Sequence, residues 1–299
     1  MRIGFNLPQS GPDAGPDAIA RVATRAEELG YDSVWVWERL LFPTSPQTPY
    51  GGTPDGSYPD AFKRHLDPLA ALTFAAAHTS RVALGTSVLD MPFYNPVMLA
   101  RELTALDVLS NGRLRVGLGL GWSQDEFDAT NAPPKGKGRF ADEFVTVLKT
   151  IWTTEPVEHK GEFFRIPKSS IQPKPVQQPH PPILLAAYSE AGLKRAATLA
   201  DGWTPVGIPL DGMKQMIGGL RGMNPKAQVY VRANVHVTDD ATGSERFIFY
   251  GSLDEIKADV EACRDLGVDE LFYDVSFSPD GARLDGYLTR MEQLRELAG

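Results

Sequence analysis

The side chains of this sequence that could do chemistry collect just after its short apolar runs: Asn6, Glu38, Arg39, Thr86, Ser87, Asp90, Trp122, Glu126, Tyr188, Ser189, Pro205, His236 and Asp274. None is a lysine, which argues against Schiff-base chemistry, because that needs a desolvated amine at such a place. The histidines, at 65, 78, 159, 180 and 236, are scattered and form neither H-x-H nor H-E-x-x-H, so no catalytic metal centre is expected. The nucleophile elbow G-x-S-x-G is absent as well. What remains is hydroxyls, amides, aromatic rings and one Glu38–Arg39 tandem, a set suited to holding a cofactor that carries the chemistry itself. Trp122 ends a glycine-rich run where its flat ring could meet another, whereas Trp35, Trp37, Trp152 and Trp203 read as core or helix-face residues.

The elements that must position these residues alternate along the chain. Apolar runs at Ile3–Leu7, Ser33–Trp37, Val82–Leu89, Leu114–Leu120, Ile183–Ala187, Trp203–Val206, Val229–Val237 and Glu270–Val275 predict strands. Each is followed by a segment of helical period, at Asp17–Leu29, Asp67–His78, Pro96–Leu109, Phe140–Trp152, Ser189–Ala200, Leu210–Arg221, Ser252–Leu266 and Ala282–Leu297. Gly30 and Gly267 mark helix ends, and Ser189 and Ser252 mark helix starts. Eight such units predict one (β/α)8 TIM barrel over residues 1–299, with its chemistry at the C-terminal ends of the strands. The place for a dinucleotide fingerprint after the first strand reads NLPQSGPDAG, without the G-x-G-x-x-G spacing of an open doubly wound sheet. Long proline- and glycine-rich insertions at Pro43–Pro59 and Asn131–Arg139 follow the second and fourth strands and are expected over the C-terminal face. A third, Thr153–Pro182, carries a possible hairpin strand in HKGEFFRI and is expected to pass round the side or bottom.

The formal charge of −8 is spread evenly, −3 over residues 1–150 and −5 over 151–299, so neither nucleic acid nor an anionic membrane surface is an expected partner. The run Ile3–Leu7 is too short for a signal peptide, and no apolar stretch approaches the roughly 20 residues of a membrane span. Cys263 lies in a helical pattern without a cationic cluster, as an inert half-buried thiol would. A cytoplasmic setting is the simplest expectation.

Three segments carry a resemblance: LGYDSVWVWERLLFPTSPQTPY (29–50), RVALGTSVLDMPFYNPVMLARELTALDVLSNGRLRVGLGLGW (81–122) and QPHPPILLAAYSEAGLKRAATLADGW (178–203), joined by GSLDEIKADVEACRDLGVDEL (251–271). With them the chain resembles the bacterial luciferase-like monooxygenase family, in its actinobacterial branch that uses the deazaflavin coenzyme F420. The resemblance implies a barrel whose planar cofactor ring lies in the mouth. It places Glu38 near that ring with Arg39 beside it, and Asn6 and Trp122 in the cofactor's surroundings. It sets a bulge at Thr86–Ser87–Val88 with a non-prolyl cis peptide at Ser87–Val88. It makes Ala186–Ala187–Tyr188–Ser189 the phosphate-binding turn, lined further by Gly202 and Trp203 and faced by Arg139. The turn agrees with the physics of a helix start, where small residues let backbone N–H groups approach an anion. Relatives that use the deazaflavin commonly carry histidine where this chain has Arg39. Arginine stays charged near neutral pH, so that residue's proton-transfer role does not carry over.

The resemblance thus implies an oxidoreductase that passes a hydride between coenzyme F420 and a small organic substrate. An FMN-dependent monooxygenase is the alternative on the same barrel, and a non-catalytic flavin-binding barrel is the alternative of another class. Relatives pair as homodimers through helices after the early strands, and ELTALDVLSNGR offers an apolar stripe for that.

Overall fold

Helices begin where the sequence writes a polar residue before proline. Asp67 accepts the N–H of Ala70 at 2.7 Å ahead of Pro68, and Asn95 accepts that of Val97 at 2.9 Å ahead of Pro96. Each proline takes the first helical position, where its missing N–H costs nothing. Ser189 and Ser252 also cap helices, the latter in a reciprocal box with Glu255. Gly30 and Gly267 follow helix ends with φ of +77° and +75°, the left-handed stop that an added Cβ would penalise.

The computed structural model describes residues 1–133, 135–243, 245–279, 281 and 283–297. Pro134 of the PKGKGR run, Ala282 at the start of the last expected helix and the C-terminal Gly299 lie outside the described residues. The elements run β1 (Arg2–Asn6), α1 (Pro16–Glu28), β2 (Ser33–Val36), α2 (Pro68–His78), β3 (Ala83–Thr86), β4 (Leu89–Asp90), α3 (Pro96–Leu109), β5 (Leu114–Gly119), α4 (Gln124–Thr130) and α5 (Lys137–Thr153). There follow β6 (Val157–Lys160), β7 (Arg165–Ser169), β8 (Ile183–Leu185), α6 (Glu190–Leu199), β9 (Gly202–Trp203), α7 (Leu210–Met223), β10 (Gln228–Asn234), β11 (His236–Val237), β12 (Tyr250–Gly251), α8 (Leu253–Asp265), β13 (Glu270–Asp274) and α9 (Leu284–Leu297).

Eight strands, β1, β2, β3, β5, β8, β9, β10 and β13, pair in parallel, and β13 returns to β1 with Glu270 opposite Arg2. The sheet is therefore a closed (β/α)8 barrel. Trp35, Leu184, Tyr230 and Phe272 fill its interior, with Trp35 stacked on Phe272 at 4.2 Å. Below them, at the N-terminal end, the fully buried Glu270 accepts from Ser33 Oγ (2.5 Å) and Trp35 Nε1 (3.1 Å) and pairs with Arg2 Nε (3.0 Å) and Arg115. No helix among the described residues is long and apolar enough to cross a membrane.

The bulge expected in the third strand forms, splitting it into β3 and β4, with a non-prolyl cis peptide at Ser87–Val88. Three local differences from the sequence reading have physical causes. The expected strand Val229–Val237 leaves the barrel at Asn234, and His236–Val237 turns away to pair with Tyr250–Gly251. The expected strand Trp203–Val206 keeps only Gly202–Trp203 in the ladder, with Val206 bridging singly to Arg232. The NAPPKGKGR segment is preceded by the unexpected helix α4, and α5 begins at Lys137, so Lys137–Arg139 are helical rather than loop. The HKGEFFRI hairpin forms as expected, as β6 against β7.

Candidate functional site

The C-terminal mouth of the barrel gathers acids and arginines from different strand ends, all nearly withdrawn from water. Glu38, two residues past β2, is 5% exposed. Its Oε2 accepts the N–H of Asp90 at 2.6 Å, and its Oε1 accepts the hydroxyl of Tyr94. Burial, reinforced by the Asp90 carboxylate, pushes the Glu38 carboxyl up to about 8. A carboxyl poised there holds a proton at neutral pH and can still give it up.

Arg39 turns the other way. Its Nη2 lies 2.9 Å from Glu126 Oε2 and 3.8 Å from Asp90 Oδ2, and its guanidinium stacks 4.7 Å from the ring centroid of Trp122. Glu126 also accepts the N–H of Leu40 at 2.8 Å, which ties the chain leaving β2 to α4. Burial raises Asp90 to about 6, against the lowering influence of Arg39, and raises Glu126 as well. Arg39 is thus spent on neutralising two acids. This geometry makes Arg39 an ion-pair partner that closes the strand end.

The third stave contributes the bulge. Thr86 Oγ1 accepts from Gly117 N and donates to Gly117 O, each at 2.9 Å, so its side chain staples β3 to β5. Ser87 Oγ lies 3.4 Å from Thr204 Oγ1, and Ser87 O accepts Arg232 Nη1 at 3.0 Å. Arg232 is held from behind by Asp274, whose Oδ2 receives Nε at 3.0 Å and also Nη2. Val88 is half-buried beside β5. Asn6 lies lower, donating to Leu7 O at 3.0 Å and Ser276 Oγ at 3.3 Å.

After β8 the chain makes the turn Ala186–Ala187–Tyr188–Ser189 into α6. Ser189 Oγ accepts the N–H of Gly192 at 3.2 Å, and Trp203 Nε1 donates to Ala187 O at 2.9 Å, fixing the turn from below. A Cβ at Gly192 would lie 3.0 Å from that of Ala187, so the turn packs this tightly against the first turn of α6 only because both residues are small. Gly202 lets β9 approach β10, since a Cβ there would lie 2.3 Å from Gln228 O. Tyr188 is exposed, its hydroxyl 3.4 Å from Val206 O.

One expected residue stands apart. Arg139 is 71% exposed in its side chain and pairs with Glu162 at 3.0 Å on the outer face of α5. There it lines a cavity of about 530 Å³ with Lys194 and Arg195 of α6, outside the barrel mouth.

Four participants escaped the strand-end reading: Arg232, Tyr94, His65 and Gln9. Gln9 holds both backbone groups of Trp37, donating to its O at 2.8 Å and accepting from its N at 2.9 Å. His65 Nε2 meets Trp37 O at 2.9 Å, and burial lowers its pKa to about 4, leaving the ring neutral. Over them the insertion after β2 lays a ring layer: Tyr50, Tyr58 and Phe62, joined by Trp122 and packed on Trp37 and Phe277. The signal for this layer was present in the spacing of aromatic residues through 42–62, where prolines drew attention to loop character.

Glu38 supplies a test in pH. A glutamate ordinarily ionises near 4.5, so between that value and about 8 the native chain holds a proton that the unfolded chain has lost. Stability therefore falls as pH rises through this window. Glu38→Gln is expected to flatten the fall, most clearly between pH 6 and 8, above the Asp90 value of about 6. Urea midpoints of both proteins at the two pH values check it.

The sequence model of the luciferase-like monooxygenase family matches residues 1–246. An uncharacterised protein of Mycobacterium tuberculosis is 37% identical over 215 residues, covering 71% of this chain and 75% of its own length. An F420-dependent glucose-6-phosphate dehydrogenase of Amycolatopsis mediterranei is 32% identical over 207 residues, covering 68% of this chain but only 56% of that enzyme. In fold, the crystal structure of the monooxygenase RslO1 from Streptomyces bottropensis superposes with a TM-score of 0.80 at 23% identity, over 99% of this chain and 98% of that one.

Proposed function

The chain belongs to the luciferase-like monooxygenase family, and from that premise we propose that it is an oxidoreductase passing a hydride between coenzyme F420 and a small organic substrate at the barrel mouth. In this reading residues 1–299 act as one domain. The observation that carries it is the convergence of a proton-holding Glu38 and the Ser87–Val88 bulge with the small-residue turn at the start of α6.

These residues fit a planar cofactor that bears a phosphate. At the start of α6 Ser189 Oγ caps the N–H of Gly192, while the N–H groups of Glu190 and Ala191 lack helical partners and would meet an anion held there. Ser87 and Val88 would flank the ring, with Ala186, Ala187, Tyr188, Ser189 and Gly202 around the phosphate and the buried Trp203 supporting that turn from behind. When bound, the deazaflavin would supply or accept the hydride. The protein's share is orientation, exclusion of water and a proton on the Glu38 carboxyl, which the Tyr94 hydroxyl orients by donating to Oε1. Phe74 on α2 and Met98, Val108 and Leu109 on α3 are exposed apolar side chains, and we extend the reading to a homodimer through these helices.

Titration with F420 and with FMN, followed by the absorbance of each, tests the assignment. Saturable F420 binding is expected, and Glu38→Gln should retain it while lowering turnover about 10²-fold, the lower range for loss of a general acid. Tight FMN binding with none of F420 overturns the reading.

A further inference from the structure

We infer that the substrate is an uncharged, largely apolar compound bearing a carbonyl oxygen, seated between the barrel rim and the aromatic layer above it. This inference deepens the function proposed above and rests on it.

Charge comes first. The two cations buried at the mouth, Arg39 and Arg232, are 8% and 9% exposed, and each already faces a carboxylate: Glu126 at 2.9 Å and Asp274 at 3.0 Å. Asp90 stands 3.8 Å from Arg39 as a further acid. A carboxylate or phosphate entering here would meet matched cations and lose its water without a free counter-charge. The sugar phosphate in the name of the Amycolatopsis relative is therefore not the substrate expected of this chain.

The walls come second. Trp37 touches Phe62 and Phe277 at centroid distances of 5.5 and 5.4 Å, and Tyr50 touches Phe62 and Trp122 at 5.1 and 5.4 Å. Ring-to-ring contacts of this kind can be exchanged for contacts with an apolar guest at little net loss. A polyhydroxylated guest would instead bury hydroxyls against hydrocarbon.

The third observation supplies the oxygen. Trp37 is 4% exposed, yet its indole Nε1 has no hydrogen-bond partner among the described residues, and neither has Nη1 of Arg39. Both atoms are donors only, so the group that completes them is an acceptor. A carbonyl oxygen in an otherwise apolar molecule can accept from either donor without bringing charge.

Tryptophan fluorescence, to which Trp37 and Trp122 at the proposed seat contribute, follows occupancy with and without added F420. Cyclohexanone is expected to bind saturably, and at least tenfold more tightly than cyclohexanecarboxylate or glucose 6-phosphate. Trp37→Phe keeps a ring and removes the N–H. It should weaken cyclohexanone about fivefold, the worth of one neutral hydrogen bond, with Trp122 as reporter. The inference falls if cyclohexanone does not saturate, if either anion binds as tightly, or if a folded Trp37→Phe protein binds cyclohexanone unchanged. The probe comparison uses the unaltered protein and stands whatever the variant does. Cyclohexanone binding without F420 binding overturns the cofactor reading alone, whereas F420 binding without cyclohexanone binding overturns the substrate class alone.

Discussion

Gly117→Ala is expected to lower stability by about 3 kcal/mol and to weaken cofactor binding at least tenfold, although the change adds one methyl group. An added Cβ would lie 2.0 Å from the carbonyl oxygen of Thr86, a backbone atom that cannot swing aside as a side-chain tip can. Relief requires β3 to retreat from β5. That retreat breaks the two 2.9 Å bonds between Thr86 Oγ1 and Gly117, and it carries along Ser87, whose carbonyl Arg232 holds at 3.0 Å. Gly218→Ala supplies the contrast: it lies exposed in α7, where an added Cβ meets nothing within 4 Å. There alanine should stabilise by about 0.5–1 kcal/mol through helix propensity and a less flexible unfolded chain. Urea melts of both variants, with a cofactor titration of each, decide it. A Gly117→Ala protein with an unchanged midpoint would mean that β3 and β5 are further apart at the bulge than described.

The second large effect lies at the opposite end of the barrel. Glu270→Gln leaves Arg115, 15% exposed, and Arg2, 40% exposed, without their shared counter-charge under the interior aromatic layer. Removing one partner of a buried ion pair costs about 3–5 kcal/mol, and the partial exposure of Arg2 favours the lower figure. The double change Glu270→Leu with Arg115→Met should recover much of that loss, because it removes the charges together. Cofactor affinity should stay unchanged in any variant that folds, since this cluster lies at the N-terminal face. A double variant no more stable than Glu270→Gln would locate the cost in packing rather than in charge.

Much of the barrel could be read from the residues because each unit is specified locally. Pro68 and Pro96 behind their caps, Gly30 and Gly267 beyond their helices and the β-branched strand runs all act within a few residues of themselves. The missed features depend on distant partners. The seven-residue α4 has the polar sequence QDEFDAT, and its place is set by Glu126 reaching Arg39 and Leu40 across the mouth. His236–Val237 reads as strand, which it is, but Tyr250–Gly251 draws it out of the barrel. That shift matters to the site: with the strand taken through Val237, His236 stood at its end, whereas the chain leaves the barrel at Asn234 and Arg232 faces the mouth. Arg139 shows the converse, since nothing within its own segment marks Glu162, its hairpin partner.

The register that sets Arg2 opposite Glu270 gives the molecule a seam between its first and last strands. During synthesis β1 emerges with one neighbour, β2, while its other edge waits for β13, more than two hundred residues later. Until then β1 and β10 each present an unpaired row of N–H and C=O groups, the kind of edge on which chains misassociate. Closure is a late, long-range event that earlier strands cannot complete among themselves. A nascent chain stalled short of β13 should therefore depend on holdase chaperones, and release from the ribosome with β13 in place should end that dependence in one step.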